Sequence, residues 1–276
     1  MRKNVSLFIL ILHQVLFIII YLIPFNIISE KNDEISLTFA LILLFIIYLS
    51  TFSILYKVIF KEISIYVFGI MVFIVGFLCN IVAIIISPEY FMWKWSISVL
   101  THHPGGGFMR IGFIISYNLA IPFFIKFGRL LKAETINDHL RKLAVACGIF
   151  TSVAAMLAGT FSGRNTLNST LHGLFALLSW LGGAVVCLLF GLLMLKNSRF
   201  SKSISNFSFL ISGFLLFYLI PFFIVNFCNL FPETSPVYAF GRNIYFIMPL
   251  FEWIVIFSVF TWYLFISIYV FRENIN

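Results

Sequence analysis

Apolar residues run along the chain in long blocks, with short polar segments between them. Eight blocks can be read, at about 4–28, 35–60, 64–87, 109–128, 143–161, 171–195, 206–230 and 245–271. A hydrocarbon core of roughly 30 Å takes about 20 apolar residues of α-helix to cross, and each block is of that order or longer. No helical period separates an apolar face from a polar one, as expected where lipid rather than water lies outside a bundle. Backbone N–H and C=O groups in lipid must be paired inside helices or closed barrels, and unbroken runs of this length mean helices. The expected fold is all-α, a polytopic transmembrane helical bundle. It divides into an N-terminal hairpin of two helices over residues 1–62 and a six-span core over 63–276. Ala154, Ala155, Ala158 and Gly159 in the fifth block and Gly182, Gly183 and Ala184 in the sixth let helix backbones approach closely. That pair is therefore expected at the bundle centre, with the first two helices at its edge.

Composition narrows the class further. Hydrophobic residues make up 62% of the 276 and charged ones 10%, against about 25% charged in a soluble domain. Too few polar groups remain to cover a water-facing surface, which excludes soluble enzymes, nucleic-acid-binding modules and disordered scaffolds. The net charge of +8 is chiefly a topology signal. With the N-terminus in the cytoplasm, Arg2, Lys3, Lys57, Lys61, Lys126, Arg129, Lys132, Arg141, Lys142, Lys196, Arg199, Lys202 and Arg272 fall inside. Lys31, Lys94, Arg110, Arg164 and Arg242 fall outside. Thirteen against five of the eighteen basic residues favours both termini inside. The inner basic segments would also meet anionic lipid headgroups, so membrane lipids are the expected partners and nucleic acid is not. The first block is about twice a typical signal-peptide apolar region, with no A-x-A-like site before Ser29–Glu34, and reads as a retained anchor. The expected location is a membrane crossed many times, the plasma membrane if the source is prokaryotic.

Two loops and a few polar residues carry the candidate chemistry. The outer stretch 88–108 holds Tyr90, Phe91, Trp93 and Trp95, residues suited to headgroup depth, so it should lie along the interface. The inner loop 126–142 is basic. Glu252 is the one acidic residue inside an expected span, and an ionisable group there is a functional-site hypothesis by default. Counted from Tyr245, it lies about 10 Å below the outer end at 1.5 Å per residue. Asn80, Asn118 and His172 fall in the same outer half. Together they would form a polar cavity open to the outer surface, rimmed by Arg164, Arg242, His102 and His103. Hydrogen-bonded glue between helices is the simpler reading for each Asn.

Other polar features point to less. His13 is alone in an apolar helix and reads as structural. Adjacent His102 and His103 lack zinc-ligand spacing, and Pro104-Gly105-Gly106-Gly107 lacks the Lys-Ser/Thr of a P-loop. The four cysteines lie inside spans without C-x-x-C spacing and read as small core hydrophobes. Haem would want facing histidines at matching depth, whereas His13 and His172 differ in depth. No cofactor and no metal is expected. A sequon stands at Asn168-Ser169-Thr170.

Short motifs in order along the chain resemble the DRAM-like membrane family. Pro88-Glu89-Tyr90 opens an aromatic outer loop, and Ile97-Ser98-x-Leu100 follows where the family tends to show I-S-D-x-G. Tyr117-Asn118 holds an F-N-like position. Leu171-His172-Gly173 opens a core span where relatives carry a similarly placed His, and Glu252-Trp253 is similar to the family's E-W pair. The family includes damage-regulated autophagy modulators, GPI-anchor lipid-remodelling proteins and the N-terminal domain of a yeast protein that installs ceramide on GPI anchors. A prokaryotic group of six-span proteins is similar too. The resemblance covers about 64–271 and leaves the first two helices as an addition. Val99 stands where the family has Asp and Thr101 where it has Gly, so a role resting on that Asp would need His102 or His103 to substitute. The resemblance implies a lipid-remodelling or lipid-organising role, with Ser98, Asn118, His172, Glu252 and Trp253 at the site.

Three functions follow as expectations. The first is lipid binding or remodelling through the outer cavity, with Glu252 and His172 as acid and base if a bond is broken, although no nucleophile motif is present. The second is a proton-coupled transporter protonated at Glu252. The third is a non-catalytic regulatory or structural membrane protein. A carrier would favour broken helices, for which only Pro221 and Pro249 are candidates. The charge count makes one prediction at once. A cysteine introduced at Lys196 should react with a membrane-impermeant maleimide only after the cytoplasmic face is opened, and one at Lys94 should react in intact cells; the reverse pattern overturns the orientation.

Overall fold

The computed structural model describes residues 2–30, 34–132, 138–161 and 166–273. Among them are ten α-helices and no strand: α1 (Arg2–Glu30), α2 (Glu34–Val58), α3 (Ile65–Ile85), α4 (Ile97–Leu100), α5 (Gly106–Leu131), α6 (Asp138–Thr160), α7 (Thr166–Leu195), α8 (Lys202–Cys228), α9 (Pro236–Tyr245) and α10 (Met248–Arg272). Six of them, α3, α5, α6, α7, α8 and α10, are long and apolar enough to cross a membrane. They answer to the last six expected spans, and the protein is a multi-pass integral membrane protein. The first two blocks also form helices, with described apolar stretches at Asn4–Ile20 and Ile42–Val58. Exposed faces fit a lipid surround: Phe214, Phe217, Ile220, Phe223 and Phe227 of α8 are all exposed. So continuous an apolar face exceeds what soluble monomers show.

The eighth expected span is α10, and the segment before it, expected as a loop, forms the further helix α9. α9 ends at Tyr245 and α10 begins at Met248, so Pro249 falls in the first turn, where its missing N–H costs nothing. Pro249 therefore starts a helix instead of kinking one. Pro221 does lie inside α8, and Pro122 inside α5.

The expected centre also moves. α6 and α7 do pack tightly, since a Cβ on Gly182 would fall 2.3 Å from Thr151 Oγ1. The most buried helix is nevertheless α5, in which nearly every side chain from Met109 to Phe127 is enclosed. It is held between α3 on one side and α6 on the other, with α1 against it as well. A helix flanked on two sides buries more than either member of a close pair. On its inner half, Phe123, Phe124 and Phe127 stack into Phe190 of α7 and Trp262 and Tyr263 of α10. Polar groups join the remaining helices: Ser212 Oγ donates to Ala184 O at 2.8 Å and Trp262 Nε1 to Ser208 Oγ at 2.8 Å. At the basic end, Lys126 Nζ donates to Lys61 O at 2.7 Å.

The hairpin is closed by polar contacts that the sequence does not announce. Tyr48 of α2 donates to Gln14 Oε1 of α1 at 2.5 Å, and His13 Nε2 lies 3.1 Å from Thr51 Oγ1. Phe17 stacks on Tyr48 with ring centres 3.9 Å apart. His13 is therefore not alone, because Gln14 and Thr51 both reach it. Buried amides and hydroxyls in lipid need such partners, which fixes the pairing of α1 with α2.

Between α3 and α10, space is made by glycine. A Cβ on Gly76 would stand 2.3 Å from Phe260 Cε1, while one on Gly213 of α8 would meet nothing within 4 Å. Gly76→Val should lower stability in detergent by about 1–3 kcal/mol through overpacking, and Gly213→Ala, a mid-helix change into open space, should hold or raise the thermal unfolding midpoint. An unchanged midpoint for Gly76→Val would contradict the α3–α10 packing.

Candidate functional site

The last span and the aromatic outer loop meet below the outer surface. α10 begins at Met248, so Glu252 stands four residues in, about 6 Å rather than 10 Å below its end. Its carboxylate is buried, and Oε2 accepts the backbone N–H of Ile97 at 3.1 Å. That N–H opens the four-residue helix α4 and has no acceptor within the helix itself. The next residue, Trp253, donates its indole N–H to the Tyr90 hydroxyl at 2.9 Å. Tyr90 in turn reaches the carbonyls of Trp95 at 2.8 Å and Ser96 at 3.0 Å. Burial pushes the Tyr90 hydroxyl well above the ordinary tyrosine value, so it stays protonated and able to donate. The adjacent pair Glu252-Trp253 thus holds the loop at two points. Gly105 anchors its far end, donating to Ser87 Oγ at 3.0 Å where a Cβ would strike Ala83 O.

Beneath this roof is a cavity of about 30 Å³ lined by Ile97, Phe113, His172, Trp180, Glu252 and Ile256, among others. His172 and Glu252, read from the sequence as one site, do line one cavity. No hydrogen bond joins them directly. His172 Nδ1 lies 2.8 Å from Ala158 O, and a carbonyl can only accept, so the proton is on Nδ1 and Nε2 is left as an acceptor. Among the described residues, no donor reaches the other Glu252 oxygen, Oε1.

Two further groups belong to this neighbourhood. Arg110 on α5 is buried and close enough to His172 to act on it electrostatically, and Tyr218 on α8 stands in the same relation to Glu252. Neither was singled out in the sequence. Arg110 counts there as an outer flanking charge, and only its position one turn inside α5 hints at burial.

The other expected members are arranged differently. Ser98 is half-buried in the roof, with its hydroxyl 2.8 Å from Ser96 Oγ. His103 packs edge-on against Tyr90, and His102 is exposed. Arg242 is exposed on α9, lying over the rings of Tyr245 and Phe246, and lines no part of the cavity. Asn80 is fully buried but donates to Gly76 O of its own helix at 2.6 Å. Asn118 stands beside Tyr48 of the N-terminal hairpin, on another side of α5 from the cavity. The expected single layer of four therefore reduces to His172 and Glu252, because a polar residue's depth can be counted along a helix while its direction cannot. Arg164 lies outside the described residues. Asn168 of the sequon is buried in the first turns of α7. Among the described residues no cluster of three metal-ligating side chains occurs, and the four cysteines are free.

A second cavity of about 40 Å³ adjoins the first on the inner side. Phe113, Ser179, Trp180 and Ile256 line both. The lower one is walled mainly by aromatic and aliphatic side chains, Tyr117, Phe124, Cys187, Leu215, Trp262 and Tyr263 among them, with Thr151 and Ser179. The site is thus a small cavity that holds an acid and an imidazole, with a second, mainly aromatic cavity beside it on the inner side. No family model, no curated protein and no solved structure matches the chain.

Trp253→Phe keeps the ring but removes the indole N–H. Loss of one neutral hydrogen bond, about 0.5–1.5 kcal/mol, should speed backbone hydrogen exchange across 88–105 by about two- to tenfold. Exchange there at the wild-type rate would show that the loop is held by other contacts.

Proposed function

We propose that the protein handles membrane lipid, taking the polar end of a lipid into the Glu252–His172 cavity. One observation carries this reading: the cavity that holds Glu252 and His172 shares four wall residues with a second, mainly aromatic cavity inside the membrane. An amphiphile has that same order of parts. The resemblance to the DRAM-like family, with its lipid-remodelling members, points the same way. The motif residues Ile97, His172 and Glu252 line the cavity, and Ser98 and Trp253 hold its roof.

Binding is favoured over bond cleavage. Covalent catalysis needs a nucleophile hydrogen-bonded to its base. His172 spends Nδ1 on a backbone carbonyl, and among the described residues no Ser, Thr or Cys side chain is bonded to the ring. Ser179, on the cavity wall, donates to Ala176 O. The proton-coupled carrier reading has less support, since α7 and α10 run as continuous helices, whereas many carriers bind substrate at helix breaks.

Lipid that stays with the purified protein tests the proposal. Mass spectrometry should find a defined lipid with wild type and roughly tenfold less of it with His172→Ala or Glu252→Gln, corresponding to about 1.4 kcal/mol. Equal lipid in all three proteins, at equal folded yield, rules the site out.

A further inference from the structure

The outward face of α7 carries a pattern that packing within one copy of the chain does not use. Leu167, Leu174, Leu181, Leu188 and Leu195 recur at every seventh residue, and all five are exposed, by 42–67%. Four residues after each of the first four stand Leu171, Leu178, Val185 and Leu192, half-buried beside them. Alternating steps of four and three, kept up over four heptads, are those of a coiled-coil seam, with the first set at d and the second at a. Leu fills eight of these nine positions and only three of the other twenty-one in the helix.

We infer that this stripe is a self-association face, covered by a second copy of the chain, α7 against α7. The inference is independent of what the cavity holds.

Lipid accounts for apolar residues on an outer face, but not for one residue type at a fixed period. The outward face of α8 shows what lipid accepts, mixing Leu210, Phe214, Phe217, Ile220 and Phe223. An ideal straight helix would swing a seven-residue repeat by about 20° per heptad, or about 80° over four. All five Leu of α7 nevertheless stay exposed, so the stripe faces outward from end to end. Knobs at this period need holes at the same period, and the same helix of another copy presents them.

The geometry of a membrane fixes how the two would meet. Copies in one bilayer share one orientation, so two α7 helices related by a two-fold axis along the membrane normal run parallel. Each d Leu then meets its own counterpart, and Leu at d suits a two-stranded seam. No charge interrupts the stripe; the first, Lys196, follows its inner end. From Leu167 to Leu195 the stripe is about 42 Å long at 1.5 Å per residue and about 10 Å wide, so two copies would cover roughly 800 Å² in all. That is the class of weak, reversible contacts. In lipid the holding force is close packing rather than the hydrophobic effect. The dimer should therefore form and part with protein density in the bilayer. The helix that supplies His172 and Trp180 to the cavity wall would lie at its centre.

Single-molecule photobleaching of the fluorescently tagged full-length protein in liposomes, over a range of protein-to-lipid ratios, tests this. Wild type should pass from monomer to dimer as density rises, and no further. Leu181→Ala combined with Leu188→Ala should move the midpoint to roughly tenfold higher density. The matching change on α8, Phe217→Ala with Ile220→Ala, should leave it in place. Oxidative cross-linking reads the register: Leu174→Cys, Leu181→Cys and Leu188→Cys should each give a covalent dimer above the background of wild type with its native cysteines, and Phe217→Cys should not. If the α7 double variant fails to fold, the cross-links alone decide. Monomers at every density, a dimer indifferent to the α7 changes, cross-linking strongest at Phe217, or assemblies larger than two would each overturn the inference.

Discussion

A carboxylate within a bilayer can persist only where something donates to it, and for Glu252 that donor comes from another part of the chain. The Ile97 N–H lies on a loop 155 residues earlier in sequence, and the contact works in both directions. It gives the acid a partner in a medium that offers no water, and it gives a four-residue helix the acceptor its first turn lacks. Trp253, one residue on, repeats the arrangement through Tyr90. Because adjacent residues on a helix point in different directions, the two contacts fix both the position and the tilt of the roof. The cavity exists because the roof is held above it, so its shape depends on this pair of hydrogen bonds.

The interior beneath follows from a different constraint. Inside lipid there is no gain from hiding one apolar surface against another, so helices associate where they fit closely or where polar groups meet. α5 fits closely, with small residues such as Gly112 and Gly128 admitting Cys79 and Val145. α8 is joined more by hydroxyls, its Ser208 and Ser212 reaching α10 and α7. Where α5, α7, α8 and α10 diverge around rigid aromatic rings, neither mechanism fills the space. The aromatic slot is the gap left between a closely packed centre and a helix attached at a few polar points.

Much of the architecture was legible in the residues. Lengths of apolar runs located every long helix, and Lys61 and Lys126, assigned from the sequence to one side, do meet at one end of the bundle. Depth was legible as well, so Glu252 and His172 were placed in the same half of the membrane and do share a cavity. Direction was not. A soluble helix shows its inner face by periodicity, but a helix apolar all round gives no such mark. Asn118 therefore counted with Glu252 although it faces Tyr48 and the hairpin, and Arg110 counted as a surface charge although it is buried. Gln14 passed unnoticed beside His13 because its partner, Tyr48, lies on a different helix.

The same reasoning bears on what the acid and the imidazole are for. Had they formed a catalytic pair, one would be expected to orient the other, since proton transfer depends on hydrogen-bond geometry set in advance. Here each is held by backbone instead, Glu252 by Ile97 N and His172 by Ala158 O, and each keeps one acceptor free toward the same small space. Backbone anchors fix the two side chains independently of any ligand, at the cost of leaving two acceptors unmatched in lipid. Under the proposed lipid reading, the polar end of the ligand would meet these two groups and its hydrocarbon would follow the aromatic cavity beneath.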